Sequence, residues 1–504
     1  MSNGENGHTD DFREQPRIVD EPFVKRDVIA VVLLMVFGAC CFFYRIGHAG
    51  FWHDEAASWM IARDWREMWV TLRHYEANMW LYYVVLHGWM KLFGDTETAM
   101  RSLSALAATA CIPFVYETSR CLFSRRAAWV AALLLIFHVI TMRYAQEARS
   151  YAWLELTSAA SSYLMVRMIF GKRYHLWPVY GCVTAAGVWF HFHGIFVPMA
   201  HYLFIVGFKY YRLAWKPFLA AGLLLFVLVL PIPIVQPVFS SSQVNHLRVP
   251  GFQSVAEFAE LLACGAFSLL MVIGLWLLVA INQWRKTSHQ KRSFVGLAFV
   301  TTAIVSPLVA VYFFSRNVMP LWHVPYLIFV VPLWCVWVSG LMDRVAASKW
   351  MFGVVSIMML VSVSFFSLRT PLTRPYTPLN DVVRHIQVNA VPGDGVVIER
   401  HWRNRAYFYA ASQADPMPLL AVSKNNTKID FAWINTVSDK QVTKLSSRYP
   451  RLWVIIARRN SPEEWAVINA ALKRLSANYR QTELKNVGLI RVFMFEANMD
   501  TGTP

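Results

Sequence analysis

The run GFWHDEAASWMIARDW sets His53, Asp54 and Glu55 side by side at the start of an apolar stretch. Carboxylates beside a hydrophobic run are costly unless they act there. One of a pair can take a proton from an attacking hydroxyl while the second orients it or holds a cation. A plainer use stays open, with Asp54 as the N-cap of the helix that follows, worth about 1 kcal/mol. Glu76, in HYEANMWLYY, brings a further carboxylate to the same segment, or is a solvated loop residue. Further on, MRYAQEARSYAW carries Arg143, Gln146, Glu147, Arg149 and Tyr151. A guanidinium fork matches phosphate oxygens with two parallel N–H donors; snorkelling to lipid headgroups is the competing use, above all for Arg143. His191 and His193 in WFHFHGIF stand i, i+2 without the HExxH spacing, a weak metal pair and more readily two hydrogen-bonded structural histidines. Arg316, His323 and Tyr326, with His246 and Arg248, add polar groups to the same set.

Composition says which elements hold these residues. Of 504 residues, 56% are hydrophobic and 16% charged, against about a quarter charged in ordinary globular chains, so long stretches avoid water. Disordered, collagen-like and disulfide-scaffold classes are excluded. A spanning helix needs about 20 mostly apolar residues, and candidates lie at 28–44, 98–119, 127–142, 151–170, 174–190, 192–208, 217–234, 256–281, 294–314, 324–342 and 350–368, about eleven in all. The net charge of +17 would suggest nucleic acid in a soluble protein. Here the basic residues recur at the ends of apolar runs, as Lys25/Arg26, Arg120/Arg125/Arg126, Lys172/Arg173, Lys209/Arg212/Lys216, Arg285/Lys286/Lys291/Arg292 and Arg344/Lys349. That is the habit of cytoplasmic loops, so the expected partners include membrane lipids and no nucleic acid.

Parity decides the stretch Met79–Phe93 (MWLYYVVLHGWMKLF). If it lies at the interface rather than spanning, every basic cluster falls on one side. The segments 51–78, 146–150, 191–193, 235–253 and 315–323, and everything after 368, then share the outer side. Residues 1–25 read as a disordered cytoplasmic tail, and 26–369 as a multispan membrane domain whose first outer loop, 45–97, carries interfacial helices. Residues 370–504 read as a small extracytoplasmic α/β domain, with GDGVVIER and RLWVIIARR as strands and SPEEWAVINAALKRL as a helix. Its GDG turn lacks a phosphate-loop pattern, and Trp402, Tyr407 and Trp433 read as core rather than sugar platforms. All seven cysteines lie in or beside apolar runs, which predicts neither disulfides nor a cysteine metal site.

DEAASWMIAR, NMWLYYVVLHGWMKLFGDTETAMRSLSAL, LFSRRAAWVAALLL and QEARSY, in that order over residues 50–155, resemble the amino-terminal half of family 39-like glycosyltransferases. These include protein O-mannosyltransferases and the lipid A aminoarabinose transferase. The resemblance implies a C-type glycosyltransferase fold, a polyprenyl-phosphate-linked sugar donor used on the outer face of a plasma (inner) membrane, and inversion at the anomeric carbon. Asp54 falls on the family's acidic residue, Glu55 completes its DE pair, and Glu76 lies near a second acidic position. Asn78-Met79-Trp80 stands where many relatives have Asn-Pro-Pro or Lys-Pro-Pro, so a phosphate-touching lysine is missing. Pro325-Tyr326 stands in place of an Arg-Tyr pair. Arg149 is the most economical substitute, with Arg316 and His323 as others.

The combined expectation is an inverting transferase in which Asp54 is the base, Arg149 with Arg143 clamps the lipid phosphate, and the acceptor hydroxyl belongs to a lipid, glycan or protein. His53, Glu76, Glu147, Tyr151, His191, His193, Arg316 and His323 complete the candidate substrate-binding set. No cofactor is demanded, although the acidic residues leave room for a divalent metal. Two alternatives are a transporter or flippase of a phosphate-bearing lipid or glycan, and a C-terminal binding module for which the membrane part is a scaffold. The first fits less well because the polar residues crowd the outer boundary and no repeat of halves is visible.

Overall fold

The structure, a computed structural model, describes residues 22–74, 76, 78–208, 215–235, 247–284, 294–346, 348–370, 379–391, 394–398, 445–446, 449–457, 462–487 and 490–498. Outside the described residues lie most of the predicted tail, His246, Lys209, Arg212, Arg285, Lys286, Lys291, Arg292, Trp402, Tyr407 and Trp433. The chain divides into two compact units. The first takes Met1–Tyr44, Trp69–Val85 and Ser102–Leu372; the second takes Arg45–Met68, Leu86–Arg101 and Thr373–Pro504.

The first eight helices are α1 (Lys25–Phe43), α2 (His53–Ala62), α3 (Trp65–His74), α4 (Trp80–Phe93), α5 (Glu97–Leu122), α6 (Arg125–Phe137), α7 (Val139–Ala145) and α8 (Tyr151–Ile169). Among the described residues of the first unit the regular elements are helices joined by turns and loops. In α1, Ala30, Val31, Leu34 and Phe42 are buried while Ile29, Val32, Leu33 and Val36 are more than half exposed. An apolar outer stripe of this kind belongs against lipid. By length and apolarity, six helices can cross a membrane among the described residues: Lys25–Phe43, Glu97–Leu122, Trp215–Pro233, Val295–Asn317, Val324–Val345 and Lys349–Arg369. Two bent pairs raise that to eight. The stretches predicted at 151–170, 174–190 and 192–208 form Tyr151–Ile169, Trp177–Phe190 and Phe196–Gly207, which are shorter or more polar. In α8 the polar side chains Glu155, Ser158, Ser161 and Ser162 are all buried, so they face protein rather than hydrocarbon. At 14 residues, α4 is about 21 Å long, short of the roughly 30 Å of a hydrocarbon core.

Two spans read as continuous are broken. Residues 127–142 turn by 56° between α6 and α7, where His138 accepts from the Ile140 N–H at 3.3 Å and pairs through Nε2 with the Leu262 carbonyl at 2.9 Å. Residues 252–281 turn by 88° between Phe252–Leu262 and Ala266–Ile281. Cys264 and Gly265 both take positive φ there, 56° and 105°, and a Cβ on Gly265 would press on the Phe366 ring. Apolar periodicity runs through such a bend unchanged, which is why the sequence shows one segment. At the other end of α6, Arg125 donates to Asp27 (Nε–Oδ1 2.9 Å), which also accepts from the Tyr116 hydroxyl at 3.1 Å. Arg126 and Ser124 donate to Asp343 at 2.6 and 2.8 Å. With Arg120, which meets Glu117 at 2.7 Å, all three arginines of the predicted inner cluster Arg120/Arg125/Arg126 are ion-paired.

In the second unit, the C-terminal chain forms a four-stranded sheet in the order β1-β2-β4-β3, with β1 (Gly395–Ile398) parallel to β2 (Arg451–Ala457) and β4 (Ile490–Ala497) antiparallel to both β2 and β3 (Tyr479–Val487). Leu452, Val454 and Ile456 pack with Ile468, Ala471 and Leu475 of the helix Pro462–Asn478, while Trp453 and Ile455 on the opposite face are also buried. A strand covered on both sides reads as an unbroken apolar run, as RLWVIIA does.

Candidate active site

In the second unit, α2 begins at His53, with Trp52 as its N-cap residue. The first-turn capping contact is made by Glu55, whose Oε2 accepts from the Trp52 N–H at 3.3 Å. Asp54 is therefore not the N-cap. Its backbone carbonyl accepts from Ser58 Oγ at 3.2 Å, and its half-buried carboxylate has no hydrogen-bond or ion-pair partner among the described residues. Glu55 is the opposite case. It is buried, and both its oxygens meet the Arg101 guanidinium, Nε to Oε1 and a terminal nitrogen to Oε2, each at 2.7 Å. The DE pair is split, with one carboxylate held as an anchor and one left available. His53 is half-buried at the first position of the helix.

In the first unit, the loop after α7 carries Arg149 buried. Its N–H bonds the Glu147 carbonyl at 2.7 Å, and its own carbonyl accepts from Ser104 Oγ at 3.1 Å. These contacts fix the backbone, leaving the guanidinium to donate to the Tyr83 hydroxyl at 3.2 Å and to lie 5.9 Å from the Tyr151 ring. Gln146 closes the loop by donating to the carbonyls of Phe42 and Tyr44 at 3.1 and 3.0 Å. Arg143 is exposed, 5.6 Å from the Tyr144 ring.

The helix Trp177–Phe190 ends at His191, whose extended backbone (φ −162°, ψ 133°) opens a short 3-10 turn over Phe192–Ile195. This turn lies against the helix end so closely that a Cβ on Gly194 would land on the Gly187 carbonyl. Rings of His191, His193 and His323 surround Tyr326 with centroids 4.7, 5.1 and 5.0 Å away, and Tyr151 lies 6.0 Å from His191. His193 Nε2 pairs with the Leu321 carbonyl at 3.2 Å. His191 Nδ1 accepts from the His193 N–H at 3.2 Å, which puts the imidazole proton on Nε2, an atom buried without a hydrogen-bond partner among the described residues. His191 sits between helices, where burial first, and then the charges of His193, Arg149 and His323, hold its pKa well below the usual imidazole range. It is a neutral donor at physiological pH. Asn78 ties this turn to α4, its Oδ1 accepting from the N–H groups of Phe192 at 3.0 Å and Met79 at 2.9 Å. Met79 takes a left-handed φ of 65°, a cost of about 1–2 kcal/mol for a residue with a Cβ.

Arg149, Tyr151, His191, His193 and His323 are thus drawn into one chain of contacts through Tyr326. Arg316 instead donates to the Pro250 carbonyl at 3.2 Å beside Tyr312, and Glu76 follows α3 with its N–H on the Thr71 carbonyl at 2.9 Å. Tyr83, Asn78 and Arg101 had not been singled out from the sequence. Arg101 did carry a signal, since it is a cation near the start of the span predicted at 98–119, where a charge is costly unless it is paired. Among the described residues no group of three or more His, Cys, Asp or Glu side chains is placed to hold a metal ion. A buried guanidinium, phenol hydroxyls and a neutral imidazole N–H form a donor-rich set suited to anionic oxygen.

The sequence pattern of the family described as dolichyl-phosphate-mannose-protein mannosyltransferase matches residues 79–235. Among solved structures, ArnT from Cupriavidus metallidurans is similar in its apo state, with 14% identity, a TM-score of 0.62, and coverage of 93% of this chain and 98% of that one. Bound to undecaprenyl phosphate, ArnT gives 13% identity and a TM-score of 0.63, covering 94% and 99%. The Archaeoglobus fulgidus oligosaccharyltransferase, in complex with zinc and sulfate, gives 11% identity and a TM-score of 0.51, covering 92% of this chain and 73% of that one. No curated protein sequence matches the chain. The fold is that of the C-type membrane glycosyltransferases.

Proposed function

We propose that this chain is an inverting glycosyltransferase that moves a monosaccharide from a polyprenyl-phosphate donor, undecaprenyl phosphate being the lipid bound in one ArnT structure, to an acceptor hydroxyl on the extracytoplasmic face of an inner membrane. Asp54 takes the proton of the acceptor hydroxyl; the freed oxygen pair attacks the anomeric carbon from the face opposite the phosphate. The bond from that carbon to the phosphate oxygen breaks, and the lipid leaves as polyprenyl phosphate. Arg149, with Tyr83 and the His191 Nε2–H, meets the charge gathering on the leaving phosphate.

The observation that carries the reading is an Asp54 carboxylate with no hydrogen-bond or ion-pair partner among the described residues, beside a Glu55 whose two oxygens both meet Arg101. A general base must be within reach of the incoming hydroxyl, and Asp54 is half-buried rather than enclosed. The test is Asp54→Asn in purified, lipid-reconstituted protein, given a panel of undecaprenyl-phosphate donors carrying radiolabelled hexose or aminopentose and an envelope extract as acceptor. Wild-type protein is expected to transfer label covalently, and the variant to keep its fold with turnover reduced by about 10²–10⁴-fold. Normal turnover by the variant refutes the role of Asp54. Label that crosses the bilayer still on its lipid identifies a carrier instead.

A further inference from the structure

We infer that Arg101 is a positioning residue for the transfer reaction, acting through Glu55 to hold Asp54 in its working orientation. The inference rests on the proposed role of Asp54. Every N–H of this guanidinium is engaged. Nε and one terminal N–H take the two Glu55 oxygens at 2.7 Å each. The second N–H on that terminal nitrogen reaches the Gly50 carbonyl at 3.3 Å, and the other terminal nitrogen donates to the carbonyls of Ile46 at 2.9 Å and Ala49 at 2.7 Å. The Phe51 ring lies 5.3 Å from the guanidinium carbon.

These contacts converge on one short length of chain. Ile46, Ala49 and Gly50 lie outside any helix or strand, and Arg101 takes the carbonyls of all three. Through Glu55, which also caps the Trp52 N–H, it fixes where α2 starts. Neighbouring residues on a helix point about 100° apart, so pinning Glu55 inward decides that Asp54 is the carboxylate turned outward. Lysine cannot replace this arrangement, because its three donors radiate from one atom and cannot match two carboxylate oxygens and three carbonyls together. A displacement of about 1 Å in a reacting group can cost on the order of a hundredfold in rate, so a loosened first turn is read in turnover before it is read in folding.

The experiment compares Arg101→Lys, Arg101→Gln, Glu55→Gln and the double variant Glu55→Gln/Arg101→Gln with wild type and Asp54→Asn, using the undecaprenyl-phosphate sugar that wild-type protein turns over. Arg101→Lys is expected to lower kcat by roughly tenfold to a hundredfold, with donor KM within threefold and the thermal midpoint unchanged. Amide exchange should rise in residues 46–58 only. The double variant should be no slower than Arg101→Gln alone, since both changes cut one linkage. If Arg101→Gln does not accumulate in membranes, Arg101→Lys and Glu55→Gln decide. Wild-type kcat in Arg101→Lys, or a loss that appears in donor KM or tracks a lowered thermal midpoint, overturns the inference. Because Asp54→Asn is measured alongside, an inactive Asp54→Asn with a fully active Arg101→Lys refutes the positioning role alone. An active Asp54→Asn removes the reading on which it stands.

Discussion

Replacing Arg149 separates the two arginines that the sequence offered as phosphate ligands. Arg149 is buried, its backbone pinned by Ser104 and Glu147 and its guanidinium donating to Tyr83 at 3.2 Å; Arg143 is exposed with its guanidinium beside Tyr144. A hydrogen bond to a charged group contributes about 1.5–3 kcal/mol. Arg149→Gln, which keeps a polar side chain of similar reach but no charge, should therefore weaken undecaprenyl phosphate binding by about 10- to 150-fold. Arg149→Lys should fall between, since it keeps the charge and loses the fork. An exposed guanidinium is worth far less because solvent screens it, so Arg143→Gln should change affinity less than threefold. Binding is measured by titrating undecaprenyl phosphate onto purified protein in detergent and counting bound lipid by native mass spectrometry, which needs neither sugar nor acceptor. Equal losses for Arg143→Gln and Arg149→Gln, or no loss for Arg149→Gln in protein with a wild-type thermal midpoint, would refute the assignment.

Gly194→Ala places a methyl on the Gly187 backbone, so the turn carrying His191 and His193 must shift. The expected outcome is a loss of undecaprenyl phosphate affinity of tenfold or more with normal membrane insertion, checked by the same titration. Trp453→Phe removes the indole N–H that donates to the buried Asp394 at 2.8 Å; leaving that carboxylate one donor short should cost about 1–3 kcal/mol. Amide exchange across β1 and β2 reads the effect, and unchanged protection in those strands would show that the Val391 N–H, 3.1 Å from the same oxygen, and Arg451, whose Nε lies 3.5 Å from Asp394, already suffice.

Composition and apolar run length were enough to read a polytopic helical protein, because lipid forces every backbone polar group to be satisfied within its own helix and so stamps about 20-residue runs on the chain. The C-terminal strands and helix were legible for a similar reason, since the RLWVIIA run must be buried. Helix breaks were not, because the 56° and 88° bends interrupt neither apolar run and depend on His138 capping and on positive φ at Cys264 and Gly265. At the candidate site, residue types and local spacing singled out Asp54, Arg149, His191 and His193, but adjacent residues in one sequence look alike. The resemblance already preferred Asp54 to Glu55 as base and Arg149 to Arg143 as phosphate ligand; the tertiary structure adds the physical difference within each pair, because burial and partner choice depend on residues distant in sequence. Arg101 stands 46 positions from Glu55 and Tyr83 stands 66 from Arg149, separations at which local pattern carries no information about which side chains meet.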